Sequence, residues 1–237
     1  MNARKLSALV RKELTHYFSS FMGYVVLFAF FLISGFFYFL IVTQGRQASM
    51  QPVFQNLLVI LLFVTPAITM RLWSEEEKSG TAELLKTSPL TVWEIVIGKF
   101  LGVTCFFLVT LVPTFIYLAF LVVLGNPDIP PVFANYLGYV LAAMGFFAVG
   151  LLASTFTENQ IISAIIAFGM LLLLWVVGAA GSGAQGSLGD FLKYLSIFEH
   201  TNDFFSGIID LGHIVYFLSL IFLGLFFSVK VLEGKRN

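Results

Sequence analysis

The feature that most constrains this 237-residue chain is where its charges are missing. Residues 14–45, 47–70, 100–127, 129–157, 159–189 and 211–229 contain no Asp, Glu, Lys or Arg. About 20 helical residues, at ~1.5 Å rise each, cross the ~30 Å hydrocarbon core of a bilayer, so each interval is long enough to span one. Lipid offers the backbone no hydrogen bonds, and a helix needs none from outside. Six transmembrane helices follow, with cores at 21–43, 53–72, 95–124, 132–157, 160–180 and 212–232. The expected fold is all-α: a polytopic membrane protein forming one transmembrane domain over residues 1–237.

Composition removes several function classes. The chain is 59% apolar and 11% charged, with a mean hydropathy of +0.94. Thirteen Lys and Arg balance thirteen Asp and Glu, so there is no basic excess to neutralise phosphates, and nucleic-acid binding is excluded. The single Cys105 supports neither a disulfide scaffold nor a cysteine metal site. The longest stretches outside the spans, Trp73–Trp93 and Gly181–Leu211, are too short for a soluble catalytic domain. Neither Gly98-Lys99 nor Gly234-Lys235 is preceded by the first glycine of a phosphate-cradling loop, so the chain is not its own ATPase. The span centres lack the ionisable groups that ion-coupled carriers keep there. Thr65, Thr69, Thr104, Thr110, Thr114 and Asn135 are expected to bond backbone or neighbouring helices. Pro66 and Pro113 should kink the second and third spans, with nearby threonines satisfying the freed carbonyls.

Orientation follows from Lys and Arg. With the N-terminus in the cytoplasm, Arg4, Lys5, Arg11, Lys12, Arg71, Lys78, Lys86, Lys99, Lys230, Lys235 and Arg236 fall inside, and only Arg46 and Lys193 outside. Both termini are expected in the cytoplasm, and the protein in the inner cell membrane. The run Phe21–Thr43 is too long for a signal core and should stay as an anchor. Ahead of it, residues 1–20 form an amphipathic helix, with Leu6, Leu9, Val10, Leu14 and Tyr17 on one face and Arg4, Lys5, Arg11 and Lys12 on the other. A helix lying in the membrane interface and an ordinary basic flank both fit that pattern.

One enzymatic pair needs weighing. Ser182 after the fifth span and His213 at the start of the sixth have the residue types of an intramembrane serine protease. The stretch Gly178–Gly189 reads as a flexible Gly/Ala/Ser segment, too loose to hold a nucleophile, and His213 reads as an interfacial histidine. His16 and His200 have no matching ligand set, and no metal site is assigned. Within the 181–211 loop, Leu188–Phe198 and Phe204–Ile209 read as interfacial or re-entrant helices. Glu199, His200, Asn202 and Asp203 sit at their bend, with a solvated loop as the default and a metal as the alternative.

Residues 73–93 carry the most information. Ser74 with Glu77 reads as a capping box opening a short helix, and Thr81–Lys86 adds an amphipathic turn with Leu84 and Leu85 beside Glu83. Pro89 stops that turn, and Thr91 with Glu94 forms a second capping box at the start of the third span. The product is a helical elbow whose exposed leucines need a partner surface.

The runs Trp73-Ser-Glu-Glu-Glu-Lys-Ser-Gly-Thr-Ala-Glu-Leu-Leu85, Thr87-Ser-Pro-Leu90 and Trp93-Glu-Ile-Val-Ile-Gly-Lys99 resemble the permease subunits of ABC-2 type transporters. The likeness is strongest to the gliding-motility-associated group, and it covers essentially the whole chain. It implies that the elbow is a coupling helix docking into a separate ATPase subunit, through Glu75, Glu76, Glu77, Lys78, Gly80, Thr81, Glu83, Leu84 and Leu85. Read without it, Glu75 to Glu77 are a solvated helix start favoured by the macrodipole. Thr157, Glu158 and Asn159 resemble the family's second, smaller cytoplasmic contact, although Thr157 with Gln160 also reads as a capping box. The resemblance further implies a second permease subunit, identical or related, and an auxiliary extracytoplasmic subunit. It places ATP and Mg on the partner ATPase and no cofactor in this chain. Export and mechanical action on an extracytoplasmic partner are both compatible with it. The runners-up are the Ser182/His213 protease and a non-transporting membrane scaffold.

Overall fold

The computed structural model describes residues 3–45, 49–88, 90–125, 128–183 and 186–236. Pro89, expected to stop the elbow, and Arg46, counted in the charge asymmetry, lie outside the described residues. In chain order the helices are α1 (Ala3–Ser19), α2 (Phe21–Gly45), α3 (Gln51–Thr69), α4 (Ser74–Lys78), α5 (Thr81–Thr87), α6 (Val92–Leu111), α7 (Phe115–Leu124), α8 (Ile129–Thr155), α9 (Gln160–Gly183), α10 (Ser187–Leu195), α11 (Ile197–Phe205) and α12 (Leu211–Arg236). There is no strand among the described residues. Helices α2, α3, the α6–α7 pair, α8, α9 and α12 are long and apolar enough to cross a membrane, so the protein is the all-helical, multi-pass membrane protein the charge gaps predict.

The bundle is organised around α8. Its apolar window is 83% buried, whereas that of α2 is 17% buried, so α8 is the hub and α2 a peripheral span. Small residues make this possible, because in lipid helix association depends on close backbone approach more than on apolar burial. A β-carbon on Gly138 would overlap Phe204 of α11, one on Gly150 would overlap Thr69 of α3, and Gly145 backs onto Leu220 of α12. From the other side, Gly224 of α12 rests on Ala148. Only the nitrogen of the Asn135 amide, 1% exposed on α8, can face the carbonyls of Phe205 and Phe204 at 2.9 and 3.0 Å, because an oxygen there would meet acceptors alone, and that contact ties α11 to the hub.

Proline acts as expected in one span and differently in the other. Pro113 breaks the third span into α6, a 3₁₀ turn over Val112–Thr114, and α7. The Val112 N–H donates to the Val109 carbonyl that the proline would have left open, and Thr114 Oγ1 donates to Leu111 O at 2.6 Å. In α3 the helix ends three residues after Pro66, at Thr69. Thr69 Oγ1 donates to Thr65 O at 2.8 Å, but the Thr65 hydroxyl is buried without a partner among the described residues and repairs nothing.

Local signals held where no tertiary acceptor competed. Thr91 and Glu94 form the expected capping box at the start of α6. Ser74 does not cap α4: it lies inside the helix, and its hydroxyl is drawn 3.1 Å to Ser154 O at the end of α8. Nor do Thr157 and Gln160 form a box, since Asn159 caps α9 instead. Of the stretch Gly178–Gly189, read from sequence as flexible, residues 178–183 and 187–189 are helical, and residues 184–185 lie outside the described residues. α9 runs through Gly183, and Gly181 lies so close to α10 that a β-carbon would meet Gly189 O and Lys193 N at 2.8 Å. Gly181, and Gly178 against Ser196, serve packing.

Candidate functional site

The elbow of α4 and α5 sits at the end of the bundle that carries both termini, because Lys12 of α1 and Lys235 of α12 both meet α4. Trp73 and Ser74 are buried, and the Ser74 bond to Ser154 O places α4 beside the 156–159 loop. Successive helical residues point about 100° apart, and Glu75, Glu76 and Glu77 accordingly reach three directions. Glu75 faces His16 of α1 at 3.6 Å, Glu76 meets Lys12 at 3.0 Å and Lys99 of α6 at 3.2 Å, and Glu77 takes Lys235 at 2.9 Å. The acidic run is a junction of helices, not a solvated helix start.

At its centre Lys99, 1% exposed, also binds Glu13 of α1 at 3.0 Å. Two lysines thus face two carboxylates, the balance a buried ionic cluster requires. Burial would raise the pKa of Glu76, but Lys99, the Thr81 hydroxyl and Lys12 outweigh it and hold the carboxyl at about 2. α1 comes this close because α6 offers glycine beneath it: a β-carbon on Gly98 would overlap Leu9, and one on Gly102 would overlap Glu13. Hence α1 is a packed helix whose Leu9, Glu13 and Tyr17 lie buried on one stripe, while Arg11 and Lys12 stay exposed.

Gly80, at φ +74°, makes the reversal from α4 into α5, a backbone state that disfavours any side chain. The Thr81 hydroxyl then donates to the Glu76 carboxylate and closes the elbow. Ala82 is buried and Leu85 is half-buried against the core, whereas Leu84 is 71% exposed. The expectation that both leucines stand free is corrected: Leu85 faces inward. The structure divides the residues implied by the resemblance into an anchoring side, Glu75, Glu76, Glu77, Thr81 and Leu85, and a presented side, Lys78, Gly80, Glu83 and Leu84. In the neighbouring loop Thr157 Oγ1 accepts from Asn159 N at 3.1 Å and Asn159 Oδ1 from Ile161 N at 2.9 Å, leaving Glu158 exposed.

Sequence reasoning missed Glu13 and Lys99. The signal for Glu13 was a carboxylate four residues from both Leu9 and Tyr17, on the apolar stripe of α1. Lys99 read as the end of a charge cluster.

The opposite end holds a second polar cluster where a solvated loop was expected. His200 Nδ1 and His213 Nδ1 are 2.6 Å apart, His213 Nε2 is 2.7 Å from Asp203 Oδ2, and His200 Nε2 is 2.8 Å from Tyr194 O. Tyr216 stacks on His200 with ring centroids 3.8 Å apart. A carbonyl and a carboxylate accept only, so His200 Nε2 and His213 Nε2 both face acceptors, and the two Nδ1 atoms face each other. Burial lowers the pKa of His200, helped by the neighbouring His213, while the Tyr194 carbonyl, Asp203 and Glu199 oppose it. With both nitrogens of His213 engaged, and Ser182 Oγ donating 3.1 Å to Gly178 O in its own helix, the structure does not bring the protease pair together. No group of three or more His, Cys, Asp or Glu side chains is set for a metal among the described residues.

Comparison with curated proteins gives no match. The family model described as ABC-2 family transporter protein matches residues 6–230, from within α1 to the last turns of α12. With six apolar helices and a structured elbow between the second and third spans, the chain belongs to the ABC-2 transporter family, as a membrane-spanning permease of an ABC transporter.

Proposed function

We propose that this permease is driven by a separate cytoplasmic ATPase subunit and that the α4–α5 elbow is where the drive enters. The observation that carries the reading is the division of the elbow into an exposed tip at Leu84 and a root tied by ion pairs to α1, α6 and α12. A tip alone would be a loop; a tip rigidly rooted in three helices is a lever. ATP and Mg act on the partner. Closure of two ATPase subunits would move two elbows, and the ionic junction would pass that motion to α1 and α6 of each of two paired permeases. Residues Thr157 to Asn159, held beside α4, add a second cytoplasmic contact. Both termini then lie in the cytoplasm, as the Lys and Arg asymmetry requires. The likeness to the gliding-motility group favours mechanical action on an extracytoplasmic partner, alongside export, as the output.

The test is recovery of the ATPase subunit on permease purified from its native membrane. Leu84→Asp puts a charge into a desolvated contact and should reduce recovery at least tenfold while leaving the permease folded. Undiminished recovery would return the elbow to an ordinary loop.

A further inference from the structure

At the end of the bundle opposite the termini, α11 meets α12 through His200 and His213, and both rings are held in place. His200 Nε2 lies 2.8 Å from Tyr194 O and His213 Nε2 lies 2.7 Å from Asp203 Oδ2, which fixes the two Nδ1 atoms face to face at 2.6 Å. Tyr216 of α12 covers His200 with ring centroids 3.8 Å apart and donates its hydroxyl to Leu195 O at 2.8 Å. A gap of 2.6 Å between two nitrogens admits one hydrogen and not two. One ring can donate to the other, but when both rings are cations each Nδ1 carries a hydrogen, and the two N–H groups collide. The groups around the pair can balance one charge more readily than two. His213 has Asp203 as its counter-ion, whereas the far nitrogen of His200 has a carbonyl. The other titratable groups facing the pair are Tyr194 from α10, Glu199 from α11 and Tyr216 from α12. Asp190 and Lys193 of α10 and Asp210 before α12 are exposed. α3 and α9 contain no titratable residue, and in α8 only Tyr136 and Tyr139 titrate, with their hydroxyls on Thr114 and Leu57 O.

We propose that the pair is a proton-operated latch: when His200 takes a proton as well as His213, the first turn of α12 parts from α11. α11 is the fixed member, because Phe204 fills the space beside Gly138 and the Asn135 amide holds the carbonyls of Phe204 and Phe205. α12 gives way at its start, after the reversal at Gly207, since from Phe217 onward it packs on α8 around Gly145. Burial holds the pKa of His200 below its ordinary ~6.5, with His213 adding to the effect and the Tyr194 carbonyl, Asp203 and Glu199 opposing it. Separation returns the ring to water and to its ordinary affinity for a proton, so acid favours the parted form. The latch rests on neither the elbow nor an ATPase and stands apart from the proposed coupling.

The experiment is hydrogen–deuterium exchange on the full chain in an uncharged detergent between pH 7.5 and pH 4.5, each rate normalised to the intrinsic rate at that pH. In parallel, nitrogen-15 spectra of histidine-labelled protein read the charge on each ring; the chain has three histidines. Normalised exchange over residues 207–214 should rise at least about tenfold, the size expected for losing one hydrogen bond to a charged group, as the His200 signal becomes that of a cation. Exchange in the α8 core should stay constant over the same range. His200→Asn and His213→Asn, neither of which can place two cations in the pair, should each abolish the acid rise. Protonation of His200 with no change over 207–214, an α8 core that opens in step, or an acid rise kept by either folded variant would overturn the proposal. So would a His200 that stays neutral down to pH 4.5.

Discussion

Replacing Lys99 with Met tests the ionic junction under the elbow. Methionine keeps much of the side-chain volume and removes the charge. Glu76 would still have Lys12 and the Thr81 hydroxyl, but Glu13, with 7% of its side chain exposed, would lose its ion partner. Breaking a buried pair by removing one member costs about 3–5 kcal/mol, because the remaining charge stays desolvated. At about 2–4 °C per kcal/mol for a chain of this size, the melting temperature should fall by roughly 6–20 °C. Adding Glu13→Gln removes the stranded carboxylate, so the double variant should recover most of that loss. Scanning fluorimetry in detergent reads the stability, and trypsin cleavage after Arg11 and Lys12 reads release of α1 from α6. A Lys99→Met protein melting within about 2 °C of wild type, or a double variant no more stable than the single, would refute a paired and buried cluster.

Two further outcomes follow from the fold. Gly150→Leu should drive a side chain into Thr69 and separate α8 from α3, giving loss of monodisperse protein on size-exclusion chromatography, whereas Gly169→Leu on α9, with open space around it, should be tolerated. Because the pKa of His200 is lowered below its ordinary ~6.5, the unfolded chain binds more protons as pH falls through that value. Stability should therefore be greater at pH 7.5 than at pH 5.5 in thermal scans, and His200→Asn should flatten that dependence; a steeper or unchanged slope in the variant would assign it to other groups.

The spans were legible because the bilayer acts as a solvent with one rule, and a charge-free run long enough to cross it has few alternatives. That is why α8, α9 and α12 begin within a few residues of where the charges stop. Thr91 and Glu94 were legible as a cap because the bond is local. Ser74 failed as a cap because its best acceptor, Ser154 O, lies 80 residues away, and no local pattern encodes that. The same separation hid the junction: Lys99 and Glu13 are 86 positions apart, and each alone reads as a flanking charge. His200 and His213 are close in sequence, but their pairing depends on the reversal at Gly207, φ +87°, which a Gly-containing loop does not specify. Leu84 and Leu85, adjacent and identical, differ only in which way the short α5 turns, and the structure resolves that as one out and one in.

The measurement that tests the central claim most directly is site-specific cross-linking in the native membrane. Cys105 is the only cysteine, so Cys105→Ser gives a background in which a single introduced thiol reports alone. With a short bifunctional reagent, Leu84→Cys at the elbow tip should form an adduct with the ATPase subunit. Ile208→Cys, exposed beyond α11 at the opposite end, should form none. An ATPase adduct at position 208 and none at position 84 would contradict the account, since drive would then enter at the other end of the bundle.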